Sequence, residues 1–346
     1  MARIALDAMG GDYAPAAPVA GALLALSELD AAHTIQLVGR VAVVQQALDT
    51  LLAGEFASAA EHCVRLSIVD ATEFVEMSEK PLSALRSKPH NSMSVGLTLQ
   101  VKGESDAFVS AGNTGAQMAA SALVLKLHPG LTRPAIATVF PTAQRPIIVL
   151  DSGANVDCSA RELLQFAWLG GVYAECIMGR DDPAIGLLSI GEESEKGNAV
   201  VKEANALLRA AKGLNFHGNV EGRDLPVGGT DRGPLDVVIC DGFVGNVLLK
   251  FYEAVTPMII GLIQRSGGVD SEAISRALGE LDYTRYGGAP LLGVRGVSII
   301  AHGKSSPRAI RNAVSVAAQA VESRMNNLMG ERLAAAARDT RDTEVA

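Results

Sequence analysis

Six times along this chain a short apolar run closes on a small or polar residue, crosses a glycine-bearing turn and gives way to residues of helical period. Arg3–Asp7 leads through Met9-Gly10-Gly11-Asp12 to a predicted helix at 18–29. Ala107–Ser110 leads through Gly112-Asn113-Thr114-Gly115 to a helix ending near 126. Residues 147–151 lead through Ser152-Gly153-Ala154-Asn155 to a helix starting near 159, and 185–190 lead through Gly191-Glu192-Glu193 to one at 199–211. Residues 237–241 pass through Gly242-Phe243-Val244-Gly245-Asn246 into 247–252, and 297–301 pass through His302-Gly303-Lys304-Ser305 into a helix at 307–325. Continuous apolar strands alternating with amphipathic helices predict a sheet covered on both faces. The expected fold class is therefore α/β, a three-layer α/β/α sandwich. Ligands in such folds gather at the carboxyl ends of the strands, where these turns fall.

The pattern breaks over 254–281, which is apolar, helical in period and interrupted by Gly267-Gly268. Val255, Met258, Ile259, Leu262 and Ile263 form one stripe, and Ile274, Ala277, Leu278 and Leu281 a second. Two such helices predict a projecting hairpin, whose stripe is a dimer face, a core face or an apolar tip for lipid. Ile260 lies off the first stripe, so it is assigned to lipid while the stripe itself packs within the protein. No Pro- or Ser-rich linker occurs, so 1–329 reads as one large catalytic unit. The end, 330–346, reads as a frayed helix and a disordered tail.

Composition narrows the function. Apolar residues are 48% and charged residues 20%, which excludes a disordered chain. Aromatics are only 4%, too few for stacking platforms along single-stranded nucleic acid, and the net charge of −8 excludes a generally basic nucleic-acid binder. The start of the chain reaches Asp7 without an apolar stretch, so no signal peptide is expected and the protein reads as cytoplasmic, at most attached to a membrane surface. Cys63, Cys158, Cys176 and Cys240 form no CxxC spacing and read as buried reduced thiols. With six scattered histidines, no metal site is expected, and neither a dinucleotide fingerprint, a Walker loop, a GxSxG elbow nor an HExxH is present.

The strand-end turns carry the remaining chemistry. In Gly112-Asn113-Thr114-Gly115, glycine admits a ligand to the backbone and the helix N-terminus favours an anion; equally, Asn113 or Thr114 could simply cap the helix. Asn246 reads either as a cap or as an amide donor to a ligand. Lys196 follows Glu192, Glu193 and Glu195, as part of a solvated charge cluster or as a cation aimed at a ligand. His302 and Lys304 place a titratable ring and a cation at another strand end. Two segments lack acids altogether, 81–103 with Arg86 and Lys88, and 283–321 with Arg285, Arg295, Lys304, Arg308 and Arg311. On an acidic chain they suit phosphate or an acidic protein partner.

Taken together, the turns resemble the bacterial phosphate acyltransferases of phospholipid synthesis. The matching residues are Ala5 to Pro15 with Asp7, Gly11 and Asp12, Ser83 to Lys88 with Ser92-Met93, Ser110 to Ala116, and Asp151-Ser152-Gly153-Ala154-Asn155. They continue with Gly191-Glu192-Glu193 and Lys196-Gly197, Asn219-Val220-Glu221-Gly222, Asp241 to Lys250 with Gly245, Tyr286 to Gly293, and His302-Gly303 with Ser305. They run in order over residues 3–320; Pro89-His90-Asn91 departs from the family pattern. The resemblance implies a homodimer with a fold akin to isopropylmalate dehydrogenase and phosphotransacetylase. It implies conversion of acyl-acyl carrier protein and orthophosphate into acyl phosphate and free carrier protein, with no cofactor. It also implies peripheral attachment to the inner face of the membrane and delivery to a membrane glycerol-3-phosphate acyltransferase. Lys196, Asn246 and His302 are then the expected catalytic residues. Asp7, Gly11, Asp12, Ser110, Gly112, Asn113, Thr114, Gly115, Asp151, Asn155, Asp241 and Gly245 are expected around substrate and phosphate. Arg86, Lys88, Arg285, Arg295, Lys304 and Arg308 are expected at the carrier-protein surface. A coenzyme A phosphotransacetylase and a non-enzymatic membrane scaffold are the alternatives.

Overall fold

The protein is described by a computed structural model covering residues 1–266 and 287–344. Where the sequence suggested one unit, the chain divides into two: Met1–His128 with Tyr286–Leu328, and Pro129–Arg285 with Met329–Ala346. The division is discontinuous in sequence and falls at no shift in composition, so no linker announces it.

In the first unit the strands run Leu66–Asp70, Thr34–Gly39, Arg3–Asp7, Ala107–Ser110, Val297–Ile300 and Ala289–Leu292. All pairs are parallel except the last. Every residue of Ala107–Ser110 and Val297–Ile300 is buried, which is why these runs show no alternation of apolar and polar positions. Helix Ser92–Val101 packs on the central strands, and helices Ala16–Glu28 and Pro307–Glu322 pack on each other. In the second unit the order is Ala135–Phe140, Ile147–Leu150, Val237–Ile239, Ala184–Leu188 and Asn215–Val220. The first pair is antiparallel and the rest parallel. Because Val237–Ile239 lies beside Ile147–Leu150, the turns that follow them, at Asp151 and Asp241, are neighbours. Helix Ala160–Met178 starts on a reciprocal cap between Ser159 and Glu162 and stops at Gly179, whose φ of 64° ends it in the left-handed region.

The segment expected to project begins as part of one long helix, Gly242–Ser266, with Pro257 inside it. Its Val244, Leu248, Leu249 and Tyr252 pack on the core around Phe140, Ile147 and Val238. The Tyr252 ring meets Phe140 edge-on at 4.8 Å. Met258, Ile259 and Leu262, left by the sequence between a packed face and an apolar tip, are exposed in the single chain, and the helix residues in that core cluster all precede Glu253. The side chain of Ile260, the second half of the hairpin and Arg285 lie outside the described residues. The end of the chain, expected to fray, is helical over Met325–Glu344, with Leu333 buried and Arg332 paired with Glu175 at 3.2 Å.

Candidate active site

Two clusters of strand-end turns hold the expected site residues, one in each unit. In the first, buried Asp7 ends strand Arg3–Asp7, and its Oδ2 accepts from the Ser110 hydroxyl at 2.7 Å. Its Oδ1 accepts from the Met9 amide at 3.0 Å. Burial pushes the Asp7 carboxyl up, against hydrogen bonds from Ser110, Ser92, Met9 and Gly10. Ser110 Oγ in turn accepts from Gly112 N at 3.0 Å. Gly10 lies so close that a Cβ there would stand 2.6 Å from Asp7 Oδ2 and 2.8 Å from Gly112 N. Asp7 and Ser110 therefore lock two turns together.

Asn113 caps helix Thr114–Val124: its Oδ1 accepts from Ala116 N at 3.0 Å. Its Nδ2 donates to the carbonyls of Met77 and Glu79, each at 3.1 Å. Both arms of this side chain are occupied, so the cap reading describes it. The first-turn N–H groups of Thr114 and Gly115 have no acceptor among the described residues, and no acid lies in that turn. Across the turn, Asp12 is exposed and its amide donates to Gly303 O at 2.7 Å. His302 is exposed; its Nδ1 accepts from Lys304 N at 3.1 Å, which leaves Nε2 as the free ring nitrogen.

In the second unit, Asp151 is buried and organises its own turn. Oδ1 accepts from the amides of Ile136 at 3.0 Å and Ala154 at 3.1 Å; Oδ2 accepts from Asn155 N at 2.7 Å and Asn155 Nδ2 at 2.9 Å. Burial pushes this carboxyl up too, with the amides opposing. Asn155 also donates to Pro134 O at 2.8 Å. Beside them, Gly245 sits where a Cβ would fall 1.9 Å from Asp151 O, so only glycine fits. Asp241 Oδ1 accepts from Val244 N at 2.8 Å and is thereby the cap of helix Gly242–Ser266. Asn246, which the sequence left between cap and ligand, is one turn too far along to cap. It is exposed, its Oδ1 3.4 Å from the ideal Cβ position of Gly153. Asp241→Ala should cost about 1 kcal/mol of stability through loss of the cap. Thermal unfolding reads this, and an unchanged midpoint would remove the assignment.

Lys196 is exposed in the loop between strand Ala184–Leu188 and helix Ala199–Ala210, with its stem against Gly191. Its neighbour Glu192 pairs instead with Arg223 at 3.2 Å, and Lys196 has no carboxylate partner among the described residues. The basic surface divides. Arg86, Arg295, Lys304 and Arg308 are exposed. Lys88, expected to be free for docking, is bound to Glu79 at 2.6 Å and to Phe74 O at 3.0 Å. Together with Asn113, it fastens the segment around Met77 and Glu79, which the sequence reading passed over. The acids of that segment were visible, but not the distance they would close. Burial pushes the Cys158 thiol up to about 12 and Cys240 well above its ordinary value, so neither is a ready thiolate.

Solved phosphotransacetylases share this fold. The enzyme from Streptococcus pyogenes aligns with a TM-score of 0.62 at 20% identity, over 93% of this chain and 94% of that one. The EutD phosphotransacetylase from Staphylococcus aureus gives 0.61 at 16% identity, over 92% and 94%. The fold class is thus that of the α/β phosphotransacetylases, as the sequence implied. A family profile described as fatty acid synthesis protein matches residues 2–328, and the chain belongs to that family. Its relatives include the phosphate acyltransferases of Desulforamulus reducens, 46% identical over 93% of this chain and 94% of that one, and of Heliobacterium modesticaldum, 47% identical over 92% and 94%. That of Thermosynechococcus vestitus is 43% identical over 94% and 93%.

Proposed function

We propose that the protein converts long-chain acyl-acyl carrier protein and orthophosphate into acyl phosphate and free carrier protein, supplying acyl phosphate for phospholipid synthesis. A phosphate oxygen attacks the thioester carbonyl carbon, a C–O bond forms, the C–S bond breaks, and the sulfur leaves with the electron pair and takes up a proton. Phosphate near pH 7 is already largely dianionic, so it needs holding and orienting more than deprotonation. The observation that carries the reading is the open helix end at Thr114 and Gly115, whose two N–H groups have no acceptor among the described residues and whose first turn holds no acid. Lys196 and the Asn246 amide are assigned to the charge that develops on the carbonyl oxygen. His302, through Nε2, is assigned to the leaving sulfur. The test is incubation with palmitoyl-acyl carrier protein, with and without phosphate. Phosphate-dependent acyl phosphate supports the reading; activity with acetyl-coenzyme A alone, or none with either, overturns it.

Arg86, Lys304 and Arg308 are proposed to meet the acidic carrier protein; Arg295 lies before strand Val297–Ile300, at the sheet end opposite Lys304, and is left out of that surface. Arg308→Glu should then raise KM for acyl-carrier protein with little change in kcat, and added salt should do the same to the native enzyme. A KM indifferent to both would remove these residues from the docking surface.

We further propose a cytoplasmic homodimer that attaches to the inner membrane face through helix Gly242–Ser266 and passes acyl phosphate to a membrane glycerol-3-phosphate acyltransferase. The helix is long and apolar enough to cross a membrane by length and composition. Its Val244, Leu248, Leu249 and Tyr252 are committed to the core, however, which favours lying on a bilayer over spanning it. Phe243, Val247, Phe251, Met258 and Leu262 leave an apolar stripe uncovered. Leu262→Glu should leave an active enzyme of unchanged size that no longer sediments with anionic liposomes. Dissociation on size exclusion would instead mark a subunit face.

A further inference from the structure

The loop that carries Lys196 is tied down by three side chains outside the turns assigned above. Arg209 Nε donates to Asn205 Oδ1 at 2.7 Å, Asn205 Nδ2 donates to Asn219 Oδ1 at 2.7 Å, and Asn219 Nδ2 donates to the Glu193 carbonyl at 2.8 Å. The same carbonyl accepts from the Lys196 amide at 3.0 Å, closing the turn that presents the lysine. Asn205 and Asn219 are only 2% and 4% exposed, so an unpaired amide at either place would be costly. The direction of the chain is set from its outer end. A guanidinium has donors only, so Asn205 must face it with oxygen and Asn219 with nitrogen. Asn219 must then offer its oxygen to Asn205, and its remaining amide hydrogens point at Glu193.

We propose that Arg209, Asn205 and Asn219 form a positioning relay that holds the Glu193–Lys196 turn in its productive geometry. The relay rests on the role given to Lys196 in the proposed function. None of its members touches the reacting atoms; each acts through the lysine. Loss of a link lets the turn drift, and a displacement near 1 Å costs up to roughly 10²-fold in rate.

A double-mutant cycle in the full-length enzyme tests this, with acyl phosphate formation as the readout. Asn219→Ala is expected to lower kcat roughly 10- to 100-fold at an unchanged KM for phosphate, yet to cost nothing more in a Lys196→Ala background. Arg209→Ala, on the surface and gentle to the fold, should show a smaller loss with the same coupling, and Arg209→Lys should restore most of it. Equal losses in both backgrounds, for either variant, would mean that these residues act elsewhere and would overturn the relay. Near-native activity of Lys196→Ala alone would instead sink the assignment of the lysine, and the relay with it. If Asn219→Ala does not fold, Arg209→Ala decides: a loss confined to the Lys196 background supports the relay, and no loss or an additive one overturns it.

Discussion

Lys196→Ala is expected to lower turnover by roughly 10²-fold or more while the thermal midpoint stays where it is, the scale on which loss of one donor to a developing oxyanion is felt. The two halves of that expectation have separate causes. The side chain is exposed and lacks an ion-pair partner among the described residues, so its removal leaves no buried charge or broken network behind. A lysine in a merely solvated acidic cluster would be silent in both measurements. Near-native kcat in a folded Lys196→Ala enzyme would therefore return it to the cluster. Lys196→Arg sharpens the comparison: the charge survives, but a planar fork replaces a compact ammonium, and partial activity is expected.

Asn246→Asp should be comparably severe. The substitution keeps size and removes one donor while adding a negative charge where the proposed reaction develops one. Since Asp241 already caps helix Gly242–Ser266, the change takes nothing from the start of the helix, and stability should hold. A loss of roughly 10²-fold in kcat with an unshifted unfolding curve is the expected pair of results. Retained activity with a lowered midpoint would contradict the assignment, because it would make Asn246 a structural residue.

Much of the fold was legible because fully buried strands announce themselves. The runs at Ala107–Ser110 and Ile147–Leu150 are buried throughout and have a strand on either side. Strand Asn215–Val220, with polar Asn215, His217 and Asn219, hid its nature because it forms a sheet edge and carries a bulge. Strand Leu66–Asp70 hid for the same reason, since an edge strand half open to water needs no continuous apolar run. At the site, the glycine-bearing turns marked the right places but not the division of labour within them. Asp7, Asn113, Asp151 and Asn155 look like ligand-binding residues in a sequence, yet their polar atoms are engaged by backbone and neighbours up to 103 positions away. Lys88 likewise looks free until Glu79, nine residues earlier, is found beside it. Asn113 and Asp241 carried a local signal that could be read: each stands three residues ahead of the amide it caps, Ala116 and Val244, at the head of a helix.

Pro257 gives the long helix two mechanical regimes. Lacking an N–H, it cannot bond the carbonyl of Glu253, so the ladder that stiffens the rod is interrupted just past the last residue seated in the core. The stretch before it is clamped, by Asp241 at its head, by the fit of Gly245 to Asp151 and by the ring of Tyr252 on Phe140. The stretch after it presents Met258 and Leu262 to whatever covers them. A bend taken up at that joint, when the outer stretch settles on a surface, need not be transmitted back to Asn246. On the proposed reading, the outer part of the helix can then fit surfaces of different curvature while the inner part keeps Asn246 in place.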